Sequence, residues 1–213
     1  MGSDRGARFG QRLRALLRIR LWRTCLRYKG RRGLFDADYY RARYADVSTL
    51  SPLLHFLVRG GFEGRNPHPL FETAFYFSRY PDAAASGWNP LFHYLNYGAA
   101  RGYQPHPLFD GEYYLERAPD VRAAGTNPLL HYVLHGAEEG RKPHPWFQPD
   151  YYVRYSPESA RDGANPLVHF LKSRGKWTNP HPLFDCLGYL RVHPEAAETN
   201  PLVHFVLSEA GAR

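Results

Sequence analysis

Cysteine is nearly absent. Cys25 and Cys186 are the two in 213 residues, too few for a disulfide framework or a cysteine-built zinc site. Their scarcity leaves the redox compartment open, with a lean to the cytosol. Long apolar runs are missing as well. No stretch approaches the roughly 18 residues that a membrane span needs. A secretory core needs about 7 to 15 uninterrupted apolar residues, and the one candidate, Ala15 to Leu26, is broken by Arg18, Arg20 and Arg23. Strand-like alternation of apolar and polar residues is found nowhere, which argues against a sheet protein. Acidic residues are scarce at one end: residues 1–33 hold 11 lysines and arginines against Asp4 alone. Of the formal charge of +8, this arm contributes +10 and the other 180 residues −2. An anionic partner is therefore expected of the arm and not of the nearly neutral body. An arginine-rich, acid-poor N-terminus also fits a mitochondrial transit peptide; the alternative is a retained functional segment.

What is present is a repeat. With 43% hydrophobic and 15% aromatic residues the composition is globular. Aligning the chain on Phe35, Phe71, Phe109, Phe147 and Phe184 gives spacings of 36, 38, 38 and 37 residues. Each unit then reaches a tyrosine (Tyr40, Tyr76, Tyr114, Tyr152, Tyr189) and an (Asn/Ser)-Pro-Leu-x-His element (His55, His93, His131, His169, His204). Four units leave through Pro-His-Pro (His68, His106, His144, His181). A period of this length marks units that bury their apolar faces by stacking on neighbours. The third unit shows the local logic. Asp110 suits the N-cap of a short helix through Tyr113 and Tyr114, which closes before Pro119. Pro119 starts a helical turn that Gly125 ends. Asn127 caps a further helix, with Pro128 at its first position and Gly136 as its stop. Lys142-Pro143-His144-Pro145 reads as extended and polyproline-like. The expectation is an all-α array of about five helical-hairpin repeats, units 34–69, 70–107, 108–145, 146–182 and 183–213, preceded by a basic N-terminal helix in residues 1–33. Helices this short are marginal alone, so cores of tyrosine, phenylalanine and leucine should hold them.

The string from Leu108 to Pro145, Leu-Phe-Asp-x-x-Tyr-Tyr-Leu-x-x-x-Pro-Asp-Val-x-x-Ala-Gly-x-Asn-Pro-Leu-Leu-His-Tyr followed by Gly-x-x-Glu-Gly-Arg-x-Pro-His-Pro, resembles short repeats attached to bacterial glycosyltransferases and related surface-polysaccharide biosynthesis proteins. The resemblance spans residues 34–213. It implies association with glycan or cell-envelope assembly and a protein partner such as a glycosyltransferase, without catalysis, because the glycosyl-transferring domains of such proteins are not in this sequence. The copies drift: unit one has Ser51 for Asn and Ala45 for Pro, and unit four has Lys176-Trp177 in place of Gly-Arg.

Candidate chemistry is thin. Nine of the 11 histidines are periodic, which favours rings bonded to a backbone carbonyl or capping side chain of their own unit over rows of metal ligands. His131, His135 and Glu138 or Glu139 form the most local cluster, but Gly136 should end the helix before the glutamates face it. Asp36, Asp110 and Asp185, replaced by Glu72 and Gln148, read as a changing N-cap, and no unit offers the second carboxylate that acid–base catalysis requires. No nucleophile elbow, phosphate loop or His-Glu-x-x-His occurs. Cys186 with His193 would be a nucleophile pair, against the plainer reading of a small buried hydrophobe. No catalytic residue, cofactor or metal is expected. The arm is read in three ways. Arg12, Arg14, Arg18, Arg20, Trp22, Arg23 and Arg27 lie on anionic lipid with Trp22 and the leucines inserted, or the arm caps unit one or a partner helix, or its arginines track a nucleic acid or other polyanion. Leucines beside a tryptophan favour lipid or protein. The sequence reading is thus a non-enzymatic scaffold, cytoplasmic and peripheral at the inner face of the membrane. The alternative is a glycan-binding module in which Trp88, Trp146 and Trp177 stack on sugar rings.

Overall fold

The computed structural model describes residues 33–47, 51–173 and 175–211. Within them all regular structure is helical, and no β-strand is found; the four isolated bridges each join the histidine and phenylalanine of one turn, His68 to Phe71 being the first. The all-α repeat architecture expected from the sequence is therefore what the chain adopts. Each unit opens on a short α-helix: Ala37–Arg43, Thr73–Arg79, Gly111–Glu116, Pro149–Tyr155 and Cys186–Val192. Asp36 and Asp110 cap theirs, accepting backbone N–H groups of the first turn. Glu72, Gln148 and Asp185 make no such bond, so the N-cap role expected of this position holds in two units. In units two to five the helix closes before a proline, as steric exclusion of the preceding residue requires, and that proline starts a short turn such as Pro81–Ala85 or Pro119–Ala123.

The third segment of each unit starts with proline at its first position. Asn89, Asn127, Asn165 and Asn200 accept backbone N–H groups two or three residues on, at 3.0–3.4 Å. Ser51 makes no side-chain cap bond. Beyond the cap the structure departs from the expected continuous α-helix. Pro52–His55, Pro90–His93 and Pro128–His131 are α-helical, but Phe56–Gly60, Tyr94–Gly98 and Tyr132–Gly136 widen into π-turns. Ala137 N–H, for example, bonds the Tyr132 carbonyl at 3.0 Å. A steric cause is visible. At Gly60, Gly98 and Gly136 a Cβ would overlap the hydroxyl of Tyr40, Tyr76 and Tyr114 respectively. The tyrosine tip presses on the helix backbone at a residue without a side chain, and the wider turn accommodates it. Units four and five carry Arg174 and Glu209 at that place, and Pro166–Lys172 and Pro201–Gly211 are α throughout.

One continuous aromatic and aliphatic cluster runs through all five units. Tyr40, Tyr76, Tyr114 and Tyr152 are fully buried with Phe71, Phe109 and Phe147, and within a unit these rings pack tilted or edge-on, as with Tyr76 and Tyr94 at 6.0 Å and 89°. Such contacts add about 0.5–1.5 kcal/mol each to the burial of the rings. Backbone bonds close each of the first four units: the N–H groups of Asp36, Glu72, Asp110 and Gln148, near the start, donate to the carbonyls of Pro67, Pro105, Pro143 and Pro180, in the Pro-His-Pro segment at the end of the same unit. The Pro-His-Pro segment is not simply extended. It reaches its histidine and then turns sharply, with Phe109 N–H bonding the His106 carbonyl at 3.0 Å. Winding brings the fourth unit back to the first, where Lys172 Nζ sits 5.8 Å over the Tyr39 ring.

Replacing Asn127 by Ala removes a cap and should cost about 0.5–2 kcal/mol in denaturant unfolding. Ser51→Ala, at a place without a cap bond, should stay within about 0.5 kcal/mol of wild type; equal effects of the two would remove the cap assignment. Gly136→Ala should destabilise by about 1–3 kcal/mol through overpacking, although alanine is the better helix former by about 1 kcal/mol. In a Tyr114→Phe background the same change should cost less than the sum of the single effects. Strict additivity would show that the hydroxyl is not what excludes the side chain.

Candidate functional site

The recurring tyrosines and histidines of the body are engaged in holding it together. In every unit the tyrosine hydroxyl lies 2.8–2.9 Å from Nδ1 of the helix histidine: Tyr40–His55, Tyr76–His93, Tyr114–His131, Tyr152–His169 and Tyr189–His204. Burial holds Tyr40, Tyr76 and Tyr114 well above the usual phenol range, so the phenols are protonated. Burial lowers His93 and His131. The periodic rings are thus tied within their own unit, but to a tyrosine hydroxyl rather than to the carbonyl or capping group expected from sequence. The Pro-His-Pro rings have a different partner again. Nδ1 of His68, His106, His144 and His181 accepts the backbone N–H two residues on at 3.0–3.2 Å. Desolvation pushes His68 and His144 down to about 4 and His106 to about 3.

The acidic residue of the middle turn is also committed in three units. Asp46 and Asp120 take bidentate contacts of 2.7–2.8 Å from Arg65 and Arg141; the Arg141 guanidinium holds the Asp120 carboxyl down to about 2. In unit two Tyr103 replaces the arginine, donating to Asp82 at 2.9 Å while its ring stacks on Tyr80 at 3.8 Å. Cys186 and His193 do not form a nucleophile pair. The Cys186 thiol is buried, donates to the Thr178 carbonyl at 3.7 Å, and has its pKa pushed up to about 12 by burial. Its neighbourhood repeats that of Thr73, whose hydroxyl donates to the Arg65 carbonyl and whose N–H bonds Asn66 as Cys186 N–H bonds Asn179.

The fifth unit is the exception. Leu34, Leu70 and Leu108 are 0% exposed, whereas their counterpart Leu183 is 79% exposed. Trp146, at the same place in unit four, is covered by Phe205 of unit five and by His181 at the end of its own unit, with ring centroids 5.1 and 5.5 Å away. Leu187 and Val192 are exposed too. A shallow groove of about 330 Å³ runs between Leu183, Val192, His193 and Phe205. Beside it Glu195 Oε1 lies 3.2 Å from His193 Nδ1 and 3.6 Å from His204 Nε2. Among the described residues this is the one group of three histidine, cysteine or carboxylate side chains whose ligand atoms lie within 4.8 Å of one another. His131 and His135 have ring centroids 5.5 Å apart, without the convergence on a glutamate that a ligand set needs. Sequence reasoning missed the fifth-unit group. The available signal was that His135 and His193 are the two histidines outside the repeat pattern.

The candidate sugar-stacking residues Trp88, in unit two, and Trp146 and Trp177, in unit four, are all half-buried and pack against the core. Trp88 packs on Phe92 and, edge-on at 4.9 Å, on exposed Tyr97. Trp177 packs edge-on to Phe170. Arg12, Arg14, Arg18, Arg20, Trp22, Arg23 and Arg27 lie outside the described residues. No family model matches the chain, and no curated protein or solved structure matches it.

The three buried Pro-His-Pro rings make stability depend on acid in a defined window. Their folded pKa values lie below the ordinary value near 6.5, so the unfolded chain binds protons first. The stabilisation is complete above about pH 6.5 and is lost as pH falls toward 4, at up to about 1.4 kcal/mol per pH unit for each ring. Melting temperature should fall across that window. His106→Asn keeps an acceptor two residues before the Leu108 N–H and should flatten the dependence; an unchanged slope would mean that the buried ring is not its source.

Proposed function

We propose that this chain is a non-enzymatic helical-repeat scaffold of bacterial surface-polysaccharide assembly, attached to the inner face of the membrane through its basic arm. One observation carries the scaffold reading: the recurring tyrosines and histidines are spent on each other in every unit, which leaves the body's recurring chemistry structural and its surfaces free for partners. The resemblance of the repeat string to glycosyltransferase-associated repeats supports the biological setting, with a glycosyltransferase or another envelope-assembly protein as partner. The charge distribution supports the attachment, since +10 sits in residues 1–33 and −2 in the rest. No helix among the described residues is long and apolar enough to cross a membrane. Nucleic acid fits less well, because phosphate binding alone requires no apolar residues. Glycan binding is a second reading, favoured at one place, where Trp88 and exposed Tyr97 pack edge-on. It would depend on the body and be insensitive to salt, in contrast to attachment through the arm.

Flotation with vesicles containing anionic phospholipid tests the attachment. Basic residues near such a surface contribute about 1 kcal/mol each, so replacing Arg12, Arg14, Arg18 and Arg20 by Gln should release the protein at low salt while the helical signal of the body persists. Trp22→Ala should weaken binding with less change in its salt dependence, because it removes an apolar anchor and no charge. If the quadruple variant floats as well as the wild-type chain, the arm is not the attachment and a cap packed on unit one is the better account.

A further inference from the structure

We propose that His193, Glu195 and His204 form a binding site for a divalent transition-metal ion of the zinc class, present in the fifth unit alone. The position-by-position logic of the repeat leads to it. In units one to three the acidic residue of the middle turn is held from beyond the histidine helix: by Arg65 on Asp46, by Arg141 on Asp120, and on Asp82 by the Tyr103 hydroxyl with Arg101 at 3.5 Å. Glu195 occupies that position in unit five and faces two imidazoles instead. His193 stands where Tyr44 and Tyr80 stand in units one and two. In the fifth unit the repeating acid thus comes together with two imidazoles, giving three metal-ligating groups in one place.

The geometry suits tetrahedral coordination. Zinc binds histidine nitrogen at about 2.0–2.1 Å and carboxylate oxygen at about 2.0–2.2 Å. Ligand atoms at tetrahedral corners then lie roughly 3.3–3.5 Å apart, by simple trigonometry on those bond lengths. The separations of Glu195 Oε1 from His193 Nδ1 and His204 Nε2, 3.2 and 3.6 Å, bracket that value, and all three ligand atoms are within 4.8 Å of one another. Two elements supply them, the turn Pro194–Glu198 with the His193 that precedes it and the helix Pro201–Gly211.

His204 is also oriented for the task. Its Nδ1 is 2.8 Å from the Tyr189 hydroxyl. With the proton on Nδ1 the ring donates to the phenol oxygen and presents the Nε2 lone pair to the ion, the arrangement in which the second ring nitrogen fixes the tautomer of a metal-binding histidine. The framework bond that closes every unit doubles here as support for a ligand. Three protein ligands of the His₂Glu type leave one position open. The side chains of His193, Glu195 and His204 are 41%, 57% and 30% exposed, so that position is reachable by water or by a donor group of a partner seated in the adjoining groove, which His193 also lines. Cys186 does not compete, since its thiol is buried and protonated.

The test uses the full chain without a histidine tag, stripped with chelator, dialysed and titrated with zinc chloride by calorimetry, with elemental analysis after gel filtration. One equivalent should bind to the wild-type chain. Affinity should fall tenfold or more in Glu195→Gln, an exposed change that leaves the core untouched, and in His193→Tyr, which restores the residue type found at Tyr44 and Tyr80. His135→Ala, at an exposed histidine outside the group, should bind as wild type does. Zinc should raise the melting temperature of the wild-type chain and of His135→Ala, and not that of the two site variants. Absence of stoichiometric binding by the wild-type chain, or binding undiminished in Glu195→Gln and His193→Tyr, would overturn the proposal.

Discussion

A hydrogen bond between a buried phenol and an imidazole, made once per unit, is what the rest of this structure is arranged around. The bond spans 15 or 17 residues of chain and joins the first helix of a unit to its histidine helix. Neither helix stands alone at this length, because nucleation is costly and few turns follow to offset it. The net gain from such a bond is about 1 kcal/mol, whereas leaving a buried partner unpaired costs about 1–3 kcal/mol. Its larger effect is therefore on specificity: an arrangement that buries Tyr114 away from His131 is penalised. The glycine at which the hydroxyl ends, and the π-turn around it, follow from the same contact.

A repeat that commits its polar groups in this way separates structure from function along the chain. Tyrosine and histidine are numerous, yet the recurring copies face each other or a backbone N–H. The middle-turn acids Asp46 and Asp120 are held by arginine. Chemistry free to act is left to the departures from the pattern: the exposed leucine and groove of unit five, the Glu195 that meets two imidazoles, and the charged arm that has no counterpart in any unit. The attachment proposal and the metal proposal both rest on those departures, and they stand independently, since one concerns residues 1–33 and the other residues 193–204.

Electrostatics divides the molecule in the same way. Buried Pro-His-Pro rings sit close enough that His106 feels both His68 and His144, and burial keeps all three neutral. A body packed around neutral histidines and paired acids presents little net charge, which leaves long-range attraction to anionic surfaces with the arm. Acid would therefore act first on the stability of the body, while salt would act first on the arm.

Much of the fold is legible in the sequence. The period, the Asn-Pro start, the proline that ends the first helix of unit three and the composition of the core are written in local residue types, whose effects operate over a few positions. The sequence by itself thus determined an all-α repeat array, its period and the location of its charge. Tertiary structure decided the rest, because it alone brings distant residues together. The partner of each histidine lies 15 to 17 residues away, so Tyr114 and His131 could be recognised as recurring but not as bonded. The π-turn depends on a hydroxyl arriving from another helix, which no helix propensity encodes. Asp110 caps its helix and Asp185 does not, although both precede the same kind of segment. Glu195 reads as one more copy of a repeating acid until the fold sets His193 and His204 beside it.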